Sequence, residues 1–525
     1  MRVAVVHGYF LGDSGSAIYA RELAREFTRQ GHDVTLVCQD QSPERYDFID
    51  RIYVFGPDND EPRLVLEREQ VHDGRCRLVR PFIGNRLLTY VAGPFPPFEV
   101  VPLQDASDEM ITAYLETNIK SMSAIFRRWP QDLVQANHAI MQPHIVREAL
   151  SGEVIQSVLG SSPRLSPDVV RESLPETAPY IVTIHGSELN FTVRKDPRMV
   201  PYMKSGLEGA TAIAALSETS RDEVIGLAID KGFDIESKTV VLPPGVDTNL
   251  FKPHVKGSAK TRENRWRDQR SPALRELSSS LDQERDNIAV FAGRLLWTKG
   301  LQYAVAALPL VLAKCPRLQL VIVGDGPMRP VLEKFIDALG RGDIIGAGNL
   351  LAKEPELKNV SAYGPVMPEL DPEEQESYRA VARDLGNRIH FTGHLPHEQL
   401  APLFAAADIS LAPSVFPEAF GLVSIEVLAA GALPVATYQT GLRTPLDIIA
   451  DSLDDPSFKL LAPGIGLTRR LASSVTSILD KYPTRDQDFR KKLHGIARLH
   501  FSWEIVARRY LELTSPATGH LASSG

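Results

Sequence analysis

Two glutamates, Glu418 and Glu426, stand on either side of seven residues in the stretch Ser414–Thr437, SVFPEAFGLVSIEVLAAGALPVAT. Between them Gly421 begins what reads as a small-residue helix, and an apolar strand follows. The first backbone N–H groups of a helix lack partners inside it, so a helix start with a glycine is a ready anion site. Carboxylates at both ends of such a site suit hydroxyl-rich ligands rather than the anion itself. The local chemistry is that of a phosphate held between two sugar rings.

A second pair of groups could supply countercharge. Arg294 and Lys299 lie in a loop bounded by Gly293 and Gly300, just after an apolar strand at Asn287–Phe291. Arginine grips phosphate oxygens bidentately and lysine acts as a point charge, so the two could converge on a diphosphate. Two solvated surface cations are the alternative, and this loop alone leaves both open. A third group, His185-Gly186-Ser187-Glu188, ends the strand Tyr180–Ile184, and Asn137-His138 ends another. Open α/β sheets place ligands beyond the carboxyl ends of their parallel strands. His185 and Glu188 are therefore candidates, against a histidine that caps the next element.

The elements that must carry these residues alternate. Arg2–His7 reads as a strand, Ala17–Gln30 as a helix and Val34–Cys38 as a strand, a unit of a parallel sheet. Gly8, Gly12 and Gly15 in the first loop do not have dinucleotide spacing, and the lysine of a nucleoside-triphosphate loop is missing. Gln39–Asp108 reads as edge strands and surface loops. Helical periodicity returns at Ile111–Arg128, and strands follow at Asp132–Gln135, Thr211–Ala215 and Thr239–Leu242. A charged stretch, residues 254–286, reads as a solvated linker because its acids and bases nearly balance. Beyond it come strands at Leu318–Val323, Arg388–Phe391, Ile409–Ala412 and Leu433–Ala436, and a last helix at Trp503–Leu513 after a Phe-Ser cap. Gly340–Pro372 lacks clear periodicity and reads as an insertion.

Composition narrows the classes. A chain of 525 residues exceeds one domain, and 43% hydrophobic with 24% charged residues is ordinary for a globular protein. Lys+Arg 58 against Asp+Glu 66 gives a net charge of −8, which argues against a nucleic-acid partner. Three scattered cysteines make no disulfide framework or thiolate metal site, and no H-E-x-x-H occurs. The start resembles no signal peptide and no apolar run approaches the roughly 20 residues of a membrane helix, so a cytoplasmic location is expected.

Several motifs then stand in one order: Ser14-Gly15 before ARELA, HGSE at His185, PPGVD, GRLLWTKG, VIVGDGP, FTGHLP and PEAFGLVSIE. Together they resemble the retaining glycosyltransferases of family 4, over nearly the whole chain apart from Gly56–Val100, Gly152–Glu176, the linker and Gly340–Pro372. The resemblance implies an α/β chain of the GT-B fold, two facing Rossmann-like, doubly wound parallel-sheet domains with a cleft between them. Residues 1–253 would form the acceptor-side domain and 287–500 the nucleotide-sugar domain, with 501–525 crossing back. A hexosyl unit would move from a UDP- or GDP-sugar to a hydroxyl acceptor with retention. The nucleotide-sugar is a substrate; no cofactor and no metal are expected, since no D-x-D motif stands out at a strand end.

By the same resemblance Arg294 and Lys299 would neutralise the diphosphate, and Glu418 would bind hydroxyls of the transferred sugar. The amides of Phe420, Gly421 and Leu422 would add donors, and Glu426 would accept from the ribose. Gly393 and His394 lie where the family holds the base, Gly15 would approach the phosphate or acceptor, and His185 would sit near the donor sugar. Where relatives often carry two glycines this chain has Ser14-Gly15. Glu188, with Asn137 and His138, is assigned to acceptor choice. The acceptor itself stays open among small polyols, sugar phosphates, lipid-linked sugars and glycan ends. So does a shallow membrane contact through Phe95–Phe98, against a packed proline-rich loop. A nucleotide-sugar epimerase, a phosphorylase or a non-catalytic nucleotide-sugar-binding module are the rival readings.

Overall fold

The computed structural model describes residues 1–12, 14–90, 95–151, 178–253, 272–282, 285–354 and 364–514. The chain divides into two compact units, Met1–Gly245 with Trp503–Gly525, and Val246–Ser502. It therefore passes between them twice, and residues 246–253, expected in the first domain, belong to the second unit.

The first unit is built on a nine-stranded sheet in the order β11-β10-β9-β8-β1-β2-β5-β3-β4. Its strands are β1 (Arg2–Val6), β2 (Asp33–Val37), β3 (Arg51–Phe55), β4 (Pro62–Glu67), β5 (Arg75–Arg80), β8 (Leu133–Asn137), β9 (Tyr180–Ile184), β10 (Ala212–Ala215) and β11 (Thr239–Val241). All neighbours run parallel except β3 and β4. A two-stranded ribbon, β6 (Arg86–Thr89) with β7 (Glu99–Pro102), stands apart. Strands buried on both faces read as continuous apolar runs, which is why β1 and β9 are plain in the sequence.

β5 is the exception. Its RCRLVR pattern reads as surface, yet it lies between β2 and β3 with Cys76, Leu78 and Val79 fully buried. Arg77 is tolerated there because it donates to Asp33 (2.6 Å) and Thr35 (2.9 Å) on β2 and stacks over Trp129. The tract expected to hold only edge strands and loops thus supplies an internal strand.

The second unit carries a parallel five-stranded sheet, order β14-β13-β12-β15-β16. These are β12 (Asn287–Ala292), β13 (Leu318–Val323), β14 (Ile389–Gly393), β15 (Ile409–Ala412) and β16 (Leu433–Ala436). The helix Leu301–Leu312 is apolar on every side and almost wholly buried, packed by helices Pro372–Ala382 and Leu467–Lys481. Two expectations change here. The stretch read as a linker contains the helix Pro272–Ser280, which buries Leu274 and Leu277 near β14. The region read as an insertion contains the helix Ile344–Lys353 against Arg329–Gly340. Residues 254–271, 355–363 and the whole of Gly152–Glu176 lie outside the described residues, as do 91–94 of Gly56–Val100.

Arg490, only 2% exposed, knits this unit together by donating to the carbonyls of Ala405, Ala407, Thr484 and Ala430. Each buried acceptor left without a donor costs about 1–3 kcal/mol. Arg490→Met is therefore expected to destabilise the second unit by at least about 3 kcal/mol, read as an earlier urea transition.

The helix Trp503–Glu512 returns to the first unit and packs on the helix Gly15–Arg29. Trp503 lies against Gly245, where a Cβ would come within 2.4 Å of the indole.

Candidate functional site

In both sheets the strand order reverses direction once. Ligands of open α/β sheets bind beyond the carboxyl ends at that point. In the second unit the reversal lies between β12 and β15, so the loops Gly293–Gly300 and Pro413–Glu418 emerge side by side. These are the loops that carry the arginine, the lysine and the first glutamate.

Lys299 Nζ lies 2.5 Å from Glu418 Oε1, and both groups are partly exposed. The Ser414 hydroxyl donates to the same oxygen at 2.7 Å. The Thr440 hydroxyl accepts from the Glu418 amide at 3.0 Å, and Gly441 donates to its carbonyl. Val415 donates to the carbonyl of Thr298 at 2.9 Å, which ties the two loops along their backbones. Gly300, at φ +73°, allows this approach: a Cβ there would stand 1.8 Å from the carbonyl oxygen of Pro413. Arg294 is exposed, and among the described residues its side chain has no ion-pair partner.

The ends of the loops after β12, β13 and β14 interlock. Gly324 donates to the carbonyl of Gly393, Leu295 to that of Asp325, and the amide of His394 to Asp325 Oδ2 at 2.9 Å. A Cβ on Gly324 or Gly326 would run into the backbone of Gly293 or Leu295. Gly393, at φ +72°, faces Asp325, and the His394 side chain is exposed.

The helix after Glu418 runs Leu422–Ala429, with Gly421 as a left-handed N-cap at φ +89° rather than its first residue. The amide of Ser424 returns to Gly421, while the Phe420 ring is buried against Phe501. Glu426 is 5% exposed and lies 3.2 Å from His397 Nε2. The structure thus brings Arg294, Lys299, Glu418, Gly421, Leu422, Glu426, Gly393 and His394 onto one end of one sheet. Sequence reasoning missed Ser414, Thr440, Asp325 and His397, and for Thr440, Asp325 and His397 the role depends on segments far apart in the chain. Two proximities were available as signals: Ser414 four residues before Glu418, and His397 three residues after His394.

The first unit reverses between β1 and β8, where His7, Asn137-His138 and, just beyond β9, His185 gather. His138 adopts φ +74°. Glu188 is fully buried and accepts from the amides of Ala139 (3.2 Å) and His185 (3.0 Å), with His138 Nδ1 at 3.4 Å. Burial alone would raise this carboxyl; the bonds and charge from His138 outweigh it and hold it at about 2. His185 Nε2 lies 2.8 Å from Asn137 Oδ1. Ser14 caps the first helix by accepting from Ala17, and Gly15 is that helix's exposed first residue. The serine that departs from the family pattern thus supplies a cap.

Burial, and next the nearby His138, lower His185 to about 3, and burial with Arg147 lowers His144 to about 4. An unfolded chain takes up these protons near pH 6.5, whereas the folded protein takes them up only near 3 and 4. The unfolded state therefore binds more protons in between, and stability falls as pH drops below 6.5, by about 1.4 kcal/mol per pH unit per histidine. Urea midpoints at pH 7 and pH 5 check this, and His185→Gln should make the dependence shallower.

One D-x-D spelling, Asp58-Asn59-Asp60, does follow β3. Asp60 pairs there with Lys120 at 2.8 Å, and Asn59 bonds both backbone groups of Phe82. Among the described residues no cluster of three or more His, Cys, Asp or Glu could hold a metal ion.

Residues 14–245 match the glycosyl transferase 4-like domain, and residues 275–347 and 345–451 match the glycosyl transferases group 1. The chain belongs to the family-4-like glycosyltransferases of the GT-B fold. The 2-deoxystreptamine glucosyltransferase of Streptomyces kanamyceticus is 25% identical, over 70% of this chain and 73% of that protein. The D-inositol 3-phosphate glycosyltransferase of Corynebacterium kroppenstedtii is 26% identical, over 67% and 63%. An uncharacterized glycosyltransferase of Methanocaldococcus jannaschii is 26% identical, but the match spans only 44% of its length. In fold the chain is similar to sucrose-phosphate synthase of Thermosynechococcus elongatus (TM-score 0.55, 18% identity, 98% of each chain). It is also similar to HepE of Anabaena in complex with UDP-glucose (TM-score 0.51, 15% identity, 98% of each chain). Among the described residues no helix is long and apolar enough to cross a membrane.

Proposed function

We propose that the protein transfers a hexosyl unit from a nucleoside-diphosphate sugar to a hydroxyl acceptor, with retention of configuration. The observation that carries this is the pairing of Lys299 with Glu418 beside an exposed Arg294 at the sheet's reversal point. A cation and a carboxylate so placed can divide a nucleotide-sugar between them. Lys299 and Arg294 take the diphosphate, whose charge grows as the glycosidic bond breaks, and Glu418 takes hydroxyls of the transferred sugar. The amides at Gly421 and Leu422 add donors to the phosphates. Glu426, steadied by His397, takes the ribose hydroxyls, and the loop around Gly393 and His394 takes the base. The cations and amides carry the charge without a metal. The departing phosphate accepts the acceptor's proton on the same face of the sugar, which gives retention.

Relatives point the same way: a curated one is a glucosyltransferase, and a structural neighbour was solved with UDP-glucose. The first unit, with polar strand ends of its own, takes the acceptor. A screen of UDP- and GDP-sugars against polyol, sugar-phosphate, lipid-linked and glycan acceptors tests the reading. Acceptor-dependent release of nucleoside diphosphate and a product of unchanged anomeric configuration are expected. Inversion, or turnover without diphosphate release, would refute it.

A further inference from the structure

Five hydrogen bonds run through the first unit, from His185 by way of Tyr510 on the helix Trp503–Glu512 to Tyr19 on the helix Gly15–Arg29. Their direction follows from one carbonyl. Asn137 Nδ2 lies 3.0 Å from the carbonyl oxygen of Val6, which can only accept, so the amide nitrogen faces it. The same nitrogen lies 2.9 Å from Gln135, which must present its oxygen and so donates through Nε2 to the Thr183 hydroxyl at 2.7 Å. With Gln135 donating to it, that hydroxyl is free to give its proton to Tyr510 (2.5 Å), and Tyr510 its own to Tyr19 (2.8 Å). At the other end Asn137 Oδ1 accepts from His185 Nε2. Nε2 therefore carries the ring proton, and the lone pair sits on Nδ1. Among the described residues no donor faces Nδ1, and it is not one of the buried polar atoms lacking a partner. Tyr19 packs edge-on against the same imidazole at 5.4 Å, which holds the ring plane.

We propose that Asn137 and Tyr510 are positioning residues that hold His185 as its Nε2–H tautomer, so that Nδ1 accepts a hydrogen bond from a hydroxyl of the bound carbohydrate. Bonds aligned head to tail polarise one another, and the Val6 carbonyl, which can only accept, selects this direction over its reverse. The helix Trp503–Glu512 thereby supports, through Tyr510, a direction that the Val6 carbonyl selects for a side chain 325 positions earlier in sequence (510 − 185). The identity of the ligand rests on the sugar-transfer reading; the tautomer is a property of the free chain.

The test uses the full chain labelled with 15N-histidine and long-range 15N–1H spectra between pH 5.5 and 8. His185 is assigned by its loss in His185→Gln. The expected result is an unprotonated Nδ1 and a protonated Nε2 that do not titrate. The opposite tautomer, or an imidazolium titrating in this range, overturns the proposal. Tyr510→Phe removes the acceptor of the Thr183 proton, so the reversed chain competes, opposed only by Val6. Its two His185 nitrogen signals are expected to move towards each other, and unchanged signals overturn the role of Tyr510. Should that variant fail to fold, Thr183→Val is expected to show the same shift and Thr183→Ser to abolish it; identical spectra for the two overturn the chain.

The ligand contact is read separately from rates. His185→Gln keeps a donor towards Asn137 and an acceptor outward, and is expected to retain activity within about tenfold. His185→Leu should lose about a hundredfold, and equal rates for the two overturn the contact. A chain that shows the tautomer but transfers no sugar refutes the transfer reading and leaves the positioning intact.

Discussion

Lys299→Ala is expected to lower the rate of nucleoside diphosphate release by about 10²–10³, the loss typical of one preorganised charge or donor at a developing anion. The fold should hardly notice. Lys299 sits in a glycine-bounded loop and is partly exposed, and Glu418 keeps the Ser414 hydroxyl on the same oxygen after the cation is gone. Partly exposed ion pairs contribute little to stability, on the order of 1 kcal/mol or less. The distinguishing pattern is therefore a large kinetic loss with a nearly unchanged thermal midpoint. Lys299→Arg should recover only part of the rate, since a planar fork cannot occupy the point position 2.5 Å from Glu418. Full activity in Lys299→Ala would end the donor-site assignment. So would a drop in rate explained by unfolding, because the loop would then be acting as scaffold.

Gly300→Ala carries the second large effect, by a different route. The added Cβ would need the space of the Pro413 carbonyl oxygen, 1.8 Å away, and a left-handed φ that costs an alanine about 1–2 kcal/mol. Backbone faces backbone there, so no side chain can move aside. The loop that carries Lys299 must lift from the segment that carries Glu418, which also breaks the Val415–Thr298 hydrogen bond. Both stability and transfer are expected to fall, stability by more than about 2 kcal/mol and diphosphate release by at least about a hundredfold. Calorimetry with the release assay checks both. A wild-type rate would show that the spacing of Lys299 and Glu418 is irrelevant to the chemistry.

The two variants separate what the site residues do from what holds them. The glutamate pair, the glycine-bounded basic loop and the polar strand ends were legible because each is short and local, and because their types have few other uses together. Their partners were not. Ser414 and Thr440 meet Glu418 from four positions before and 22 positions after, and only the turn at Gly441 closes that distance. His397 reaches Glu426 because two helices pack, a fact no spacing announces. Glu188 looked like a ligand-reading carboxylate at a strand end. Its oxygens instead meet backbone amides and His138 inside the fold, as a buried carboxylate requires.

The same division holds for the fold. The sequence by itself determined most of the parallel strands, because strands covered on both faces are largely apolar: Tyr180–Ile184, Leu318–Val323, Ile409–Ala412 and Leu433–Ala436 are read with the bounds the structure gives. It also determined the family, through motifs whose order is more telling than any one of them. Only the tertiary structure decided where β5 goes, since its arginines are acceptable inside a sheet only once Asp33 and Thr35 stand beside them. Only the tertiary structure revealed the chain of hydrogen bonds that runs through Tyr510 to Tyr19. Hydrogen bonds have direction, and direction depends on which acceptor lies opposite each donor, here a carbonyl at Val6 and hydroxyls at Thr183, Tyr510 and Tyr19.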